Sequence, residues 1–208
     1  MSDNNNSPDH YYTKKPKSKL KKYQIGYSFF NKYYKFITAT GVFSYRKVDK
    51  GTIILIKSLI LPKNKNSNIL DLGCGYGVIG IVLADQLSDS QIIMTDINTR
   101  AISLCKKNIA INKINNASIK SGSLFQPLEE KFDLIVTNPP LALGKKVLYK
   151  IFEKSSEYLT PNGSFQFVIR TKQGAKSAFN KLKDIFGDKN VQLLKIKSGY
   201  RVFLARNI

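Results

Sequence analysis

Asn68-Ile69-Leu70-Asp71-Leu72-Gly73-Cys74-Gly75-Tyr76-Gly77-Val78-Ile79-Gly80 is the stretch that decides how this chain folds. Its first five residues read as a buried strand, and Gly77 to Leu87 reads as a helix. The closely spaced glycines between them let the backbone approach a ligand, because no Cβ intervenes. Ligands bind at such strand ends in open α/β sheets. Asp71 is an ionised group just before the loop, a position that suits a cationic or amino-bearing ligand better than a pyrophosphate. Asp96 closes the next strand, Gln91 to Asp96, where a carboxylate can accept hydrogen bonds from two ribose hydroxyls. Gly75 to Gly80 also matches the dinucleotide pattern G-x-G-x-x-G. Register with the strand favours Gly73-Cys74-Gly75-Tyr76-Gly77 as the working loop, and a nucleoside-type cofactor is the expectation.

The alternation continues outward from this unit. Asp49 is placed to cap a helix over Thr52 to Ile60, stopped by Pro62. Downstream, a helix is expected from about Asn98 to Asn112, then strands at Ala117 to Lys120 and Phe132 to Thr137. Lys145 to Leu159 reads as a helix ended by Pro161-Asn162-Gly163, followed by a strand at Phe165 to Ile169 and a helix at Ala175 to Phe186. Val191 to Ile196 and Tyr200 to Ala205 are separated too briefly for a crossover, so they must be antiparallel. The expected architecture is an α/β sheet, mostly parallel, with an antiparallel C-terminal edge and helices on both faces. Three segments are expected: a basic flexible arm over 1–22, a small aromatic β extension over 23–48, and the main domain over 49–208.

Composition narrows the chemistry. The 208 residues carry 34 Lys+Arg against 14 Asp+Glu, a net charge of +20 that draws polyanions, nucleic acid first among them. The excess is uneven: ten Lys/Arg and no acid lie between His10 and Val48, so Lys14, Lys15 and Lys17 of the arm are candidates for phosphate contact. Two cysteines give neither a disulfide framework nor zinc spacing and read as reduced thiols of a cytoplasmic protein. The single histidine, His10, argues against a histidine-based metal site or a Ser-His-Asp triad. The longest apolar run, Thr52 to Leu61, is interrupted by Lys57 and is too short to span a membrane, and the opening residues lack a signal-peptide core. No membrane and no metal are expected.

Thr137-Asn138-Pro139-Pro140-Leu141 follows a strand on the same rim as the glycine loop. Consecutive prolines hold a rigid extended turn. That turn fixes the Asn138 side-chain oxygen and the Pro139 carbonyl as paired acceptors, able to grip both hydrogens of a planar NH2. A nitrogen so held can turn its lone pair on an electrophile while the two oxygens stabilise the developing positive charge. No histidine base is required.

At these residues the chain resembles the class I S-adenosylmethionine-dependent methyltransferases. Asp71 to Gly77 is similar to their glycine motif, Asp96 to their ribose-binding acid, and Asn138-Pro139-Pro140 to the motif of those that methylate nitrogen. More narrowly it resembles the methyltransferase small domain family. That family includes the guanine-N2 methyltransferases, type C, that modify small-subunit ribosomal RNA, and shorter archaeal-type relatives. Gly41-Val42-Phe43-Ser44, Val48-Asp49-Lys50-Gly51-Thr52, Thr171 to Ala175 and Gly199 to Val202 extend the likeness over roughly residues 10 to 206.

The resemblance implies a Rossmann-like sheet of seven strands and S-adenosylmethionine as cofactor. It implies a cofactor site of Asp71, Gly73, Cys74, Gly75, Gly77, Asp96, Ile97, Ser123 and Asn138. Asn138, Pro139 and Pro140 are the expected catalytic turn, and Phe43 and Leu141 flank the acceptor. Leu141 stands where many relatives carry Tyr or Phe, so an apolar wall remains without an aromatic face to stack on a flipped base. Ser123 stands where relatives often hold the adenine amino group with an acid, and offers a neutral hydrogen bond. The implied activity is N-methylation of an exocyclic base amine, guanine N2 of ribosomal RNA or a ribosomal subunit foremost. Two rivals use the same fold: a protein glutamine-amide N-methyltransferase, and a non-catalytic RNA-binding module.

Overall fold

The computed structural model describes residues 13–140, 142 and 144–208. His10 and Leu141 lie outside the described residues. Lys22–Phe29 (β1) and Lys32–Ala39 (β2) form an antiparallel hairpin through Phe30-Asn31, both left-handed as such a two-residue turn requires. Lys50–Ile56 (α1) follows, then Asn68–Leu72 (β3), Val78–Gln86 (α2), Gln91–Asp96 (β4), Thr99–Ile111 (α3), Ala117–Ser121 (β5) and Phe132–Thr137 (β6). Gly144–Tyr158 (α4), Leu159–Arg170 (β7), Ala175–Phe186 (α5), Val191–Lys197 (β8) and Tyr200–Arg206 (β9) complete the order.

Seven strands make one sheet in the order β5-β4-β3-β6-β7-β9-β8. Pairing is parallel from β5 to β7, and β9 runs antiparallel to both β7 and β8. Period-two alternation along each central strand feeds two cores. Ile69, Leu134, Val136 and Val168 face α1, α2, α3 and the hairpin. Leu70, Leu72, Ile135, Phe165, Phe167 and Ile169 face α4 and α5. The chain leaves β3 toward β4 and β5 on one side and returns to β6 on the other. This reversal opens a crevice beyond the carboxyl ends of β3 and β6, the usual ligand position in such sheets.

Two expectations shift. The first helix ends at Ile56, before Ile60, because the buried Gln166 amide takes both backbone groups of Ile60: Oε1 accepts from its N–H at 3.0 Å and Nε2 donates to its carbonyl at 2.7 Å. Pro161-Asn162-Gly163 does stop α4, but these residues bulge within β7, whose pairing with β6 jumps from Leu159 to Ser164.

The hairpin is fastened by side chains. Asn108 of α3 and Asn112 at its C-cap are one turn apart, about 6 Å, close to the two-residue repeat of a strand. Asn108 Oδ1 accepts from Ile37 N–H at 2.7 Å and its Nδ2 donates to Ile37 O at 2.9 Å. Asn112 bonds Lys35 N–H and C=O in the same way. Two amides thus stand in for a neighbouring strand along β2. At the far end of β2, Lys32 and Tyr34 both donate to Asp85 of α2.

Within the stretch read as an arm, Lys14 O accepts from Thr99 N–H at 3.0 Å, and the Arg100 guanidinium donates to Pro16 O, Ser18 O and Thr40 O.

Candidate functional site

A cavity of about 420 Å³ opens at the β3/β6 switch point. Its walls include Phe43 from the segment after the hairpin, Asp49 and Thr52 from the first turn of α1, and Gly73 to Tyr76. Asp96 ends β4 and Ile97 follows it, Ser123 follows β5, Asn138-Pro139-Pro140 follow β6, and Lys150 comes from α4. Residues 73–76 and 138–140 therefore share one space.

The glycine loop is built for close approach. Gly73 and Gly75 adopt φ of 73° and 59°, left-handed values that suit glycine, and a Cβ on either would meet nothing within 4 Å. Both would project into open space, which is the cradle a ligand fills. Gly77 serves packing instead. A Cβ there would lie 2.7 Å from Cys105 Sγ, so its absence permits α2 to pack on α3. Gly77 does not line the cavity.

Asp96 ties the two strand ends together. Its Oδ2 accepts from Gly75 N–H and its Oδ1 from Asn98 N–H, each at 2.8 Å. Burial raises its pKa, and the N–H groups of Asn98, Gly75 and Ile97 oppose that rise. A carboxylate so anchored keeps lone pairs for hydroxyl donors.

Asp71 lies behind the loop, fully buried and outside the cavity wall. Its Oδ2 accepts from Gly80 N–H at 2.8 Å, while Oδ1 has no hydrogen-bond partner among the described residues. Burial pushes its pKa up to about 7, partly offset by the Gly80 bond and reinforced by the Asp96 charge. Cys74 lines the cavity with a thiol that burial keeps protonated.

Asn138 is oriented by α1. Its Nδ2 donates to Asp49 Oδ2 at 3.1 Å and to Thr52 Oγ1 at 2.9 Å. An ionised carboxylate only accepts, so the amide nitrogen must face Asp49 and the amide oxygen is left for another donor. The same Asp49 Oδ2 caps α1 by accepting from Thr52 N–H at 2.9 Å. Thr137 Oγ1 donates to Leu72 O at 2.7 Å, which locks the turn to the strand before the glycine loop. Sequence reasoning read Asp49 as a cap and missed its second partner 89 residues away.

Lys14, Lys15 and Lys17 are exposed and outside this cavity. Among the described residues no group of three or more His, Cys, Asp or Glu is placed to hold a metal ion, and no helix is long and apolar enough to cross a membrane.

The Bacillus subtilis protein YbxB is 41% identical to this chain over 202 residues, covering 96% of this chain and 99% of that protein. Ribosomal RNA small subunit methyltransferase C of Haemophilus influenzae (strain 86-028NP) is 31% identical over 176 residues, 80% of this chain and 49% of that one. Among solved structures, the T. thermophilus 16S rRNA N2 G1207 methyltransferase (RsmC), in complex with AdoMet and guanosine, superposes with a TM-score of 0.81 at 25% identity, covering 93% of this chain and 52% of that chain. The chain spans between a third and a half of the length of the curated ribosomal RNA methyltransferases it matches. The family model for the methyltransferase small domain matches residues 33–204. That match, with the YbxB likeness along nearly the whole chain, makes this protein a member of the methyltransferase small domain family.

Proposed function

We propose that this protein is an S-adenosylmethionine-dependent N-methyltransferase that modifies an exocyclic amino group of a base in RNA, guanine N2 of ribosomal RNA in particular. The carrying observation is the Asn138 amide, pinned through its nitrogen by Asp49 and Thr52 and set in the cavity that the glycine loop also lines.

As a member of a methyltransferase family, the chain uses S-adenosylmethionine, which when bound supplies an electrophilic sulfonium methyl. The residues present fit it: an open cradle at Gly73 and Gly75, an anchored carboxylate at Asp96, and Ile97 and Ser123 on the same side. Asp71 supports from behind, holding the first turn of α2 through Gly80 N–H.

The acceptor amine enters beside Asn138. Its two hydrogens are taken by Asn138 Oδ1 and the Pro139 carbonyl, so the nitrogen is held with its lone pair free. As it gains positive charge, both oxygens stabilise it without reorganising, since Asp49 and Thr52 have already fixed the amide, and the surplus proton on the methylated nitrogen then passes to solvent. Phe43 provides an apolar wall, and Leu141 is assigned the same role. The exposed Lys14, Lys15 and Lys17 contact phosphates, and the site of action is the cytoplasm, on ribosomal RNA or a ribosomal subunit.

The test is incubation with methyl-labelled cofactor and ribosomal RNA or subunits, followed by nucleoside analysis. The expected product is N2-methylguanosine. Label in protein alone would favour a glutamine-amide acceptor, and absence of cofactor binding with RNA affinity intact would favour a non-catalytic module.

A further inference from the structure

On the far side of α1 from the cavity, the molecule has a second groove, about 660 Å³, between α1, β1 and β8. Its charge is one-sided. Lys50 opens α1 and Lys57 is its C-cap, still in helical conformation and seven residues on, so the two share a helix face with Ile53 between them. Lys195 and Lys197 alternate on β8 and so share a strand face. All four are exposed, and none is within ion-pair distance of a carboxylate among the described residues. The local sequence offers no counter-charge: Lys50 to Leu70 and Lys189 to Ile208 contain no Asp or Glu. Leu194 gives the groove an apolar floor, and Tyr27 forms a wall with the Lys57 ammonium 5.6 Å from its ring centre.

Four ammonium groups gathered around one concavity repel one another unless an anion bridges them. A polyanion of regular charge spacing does this for several lysines at once. The groove also has a fixed relation to the site. The seven residues of α1 span about 10 Å, and the same helix places Asp49 and Thr52 on the cavity while Lys50 and Lys57 face the groove. We infer that this groove binds the phosphate backbone of the RNA beside the acceptor nucleotide, with α1 as the ruler between phosphate and amine. The inference rests on the RNA reading above and adds the location of its backbone contacts.

The experiment compares the full chain with two fourfold variants of equal charge change. One is Lys50→Gln, Lys57→Gln, Lys195→Gln and Lys197→Gln. The other replaces Lys63, Lys106, Lys107 and Lys113 with Gln, all exposed and outside the groove. Affinity for a short fluorescent single-stranded RNA is measured against salt concentration. At about 0.7 per neutralised phosphate, the groove variant should lose close to 3 from the slope of log affinity against log salt. The distal variant should lose much less. In methylation assays the groove variant should show a raised KM with kcat retained. Both variants should keep the cofactor-induced thermal shift, which checks folding, and each lysine pair replaced alone should give about half the change in slope.

Equal losses in the two fourfold variants would mean a diffuse positive field and overturn the groove. So would an unchanged slope in the groove variant. If the unaltered protein methylates RNA while the groove lysines prove irrelevant, this inference alone falls. If it binds cofactor and no RNA, the RNA reading falls and takes the groove with it. Binding to anionic lipid vesicles, but not RNA, that depends on the four lysines would reassign the groove to a membrane surface.

Discussion

The two walls of the cavity are made in different ways. The wall from β3 and β4 is local: Gly73, Gly75 and Asp96 sit within one β-α-β unit, and the bond from Gly75 to Asp96 spans 21 residues. The opposite wall is assembled from afar. Asn138 takes its orientation from Asp49 and Thr52, 89 and 86 residues earlier in the chain. On the function proposed above, the contrast teaches that the donor side is a property of a motif, whereas the acceptor side is a property of the fold. Removing a group from the first should weaken cofactor binding; removing one from the second should slow turnover.

Asn138→Ala carries the largest expected effect. Turnover should fall about 10²-fold or more, the scale of losing one preorganised polar group at a reacting centre. Cofactor Kd, measured by calorimetry, should hardly move. Equal losses in both would make Asn138 a support for the loop and erase the distinction between the walls. Asp96→Ala is the converse. Hydrogen bonds to a charged group contribute about 1.5–3 kcal/mol, so cofactor affinity should drop about 10- to 100-fold. Turnover at saturating cofactor should be much less affected.

Asn108→Ala tests how far the glycine wall, local as its motif is, depends on distant fastening. It strips partners from Ile37 N–H, Ile37 O and Tyr76 O, joining β2 to the glycine loop in one residue. With unpartnered buried groups at about 1–3 kcal/mol each, and about 2–4 °C per kcal/mol at this size, Tm should fall by about 6 °C or more. Hydrogen exchange should accelerate along β2 more than along β4.

The sequence carried the local parts of this. β4 and β6 were legible to the residue, because β-formers bounded by turn residues specify such strands without help. The glycine loop was legible because closely spaced glycines between a buried strand and a helix mark a place where backbone can approach a ligand. The Asn-Pro-Pro turn was legible as part of the same rim as the glycine loop, yet the partners of Asn138 were not. Asp49 announces itself as a helix cap, and nothing in one-dimensional spacing says that its second lone pair faces residue 138. Asn108 and Asn112 carry no signal in the sequence beyond the helix expected there; their service as a surrogate strand exists only once the hairpin is docked. Ile60 was read as helical because its real partner, Gln166, lies 106 residues on. Asp71 was read as a ligand contact, and the fold places it behind the loop. Polar pairs distant in sequence are the part that propensity and period do not encode.

Thr52→Val sharpens the comparison at a smaller scale. The shapes match, the cap on Asp49 survives because it uses the backbone N–H, and only the hydroxyl acceptor for Asn138 is lost. A net hydrogen bond of about 1 kcal/mol predicts a roughly fivefold drop in kcat with cofactor Kd retained. Restoration of kcat by Thr52→Ser would tie the loss to the hydroxyl.

Asp71 should affect turnover least and still separate the walls, through pH. Its folded pKa, near 7, lies above its value of 3.8 in an unstructured chain. Between those values the folded state holds a proton that the unfolded state releases, so this residue's contribution is complete below about pH 4 and is lost as pH rises toward 7. Asp71→Asn keeps an acceptor for Gly80 N–H and cannot ionise. The variant's Tm without cofactor should therefore match the parent's at pH 4 and exceed it by a growing margin up to pH 7 or above. Asn138→Asp sets a second carboxylate against Asp49 Oδ2 and should do the opposite, its Tm falling below the parent's as pH rises over the same range. A constant gap across that range in Asp71→Asn would mean that the carboxylate is satisfied when charged, and that the glycine wall depends on Asp71 as an anion rather than as a buried acid.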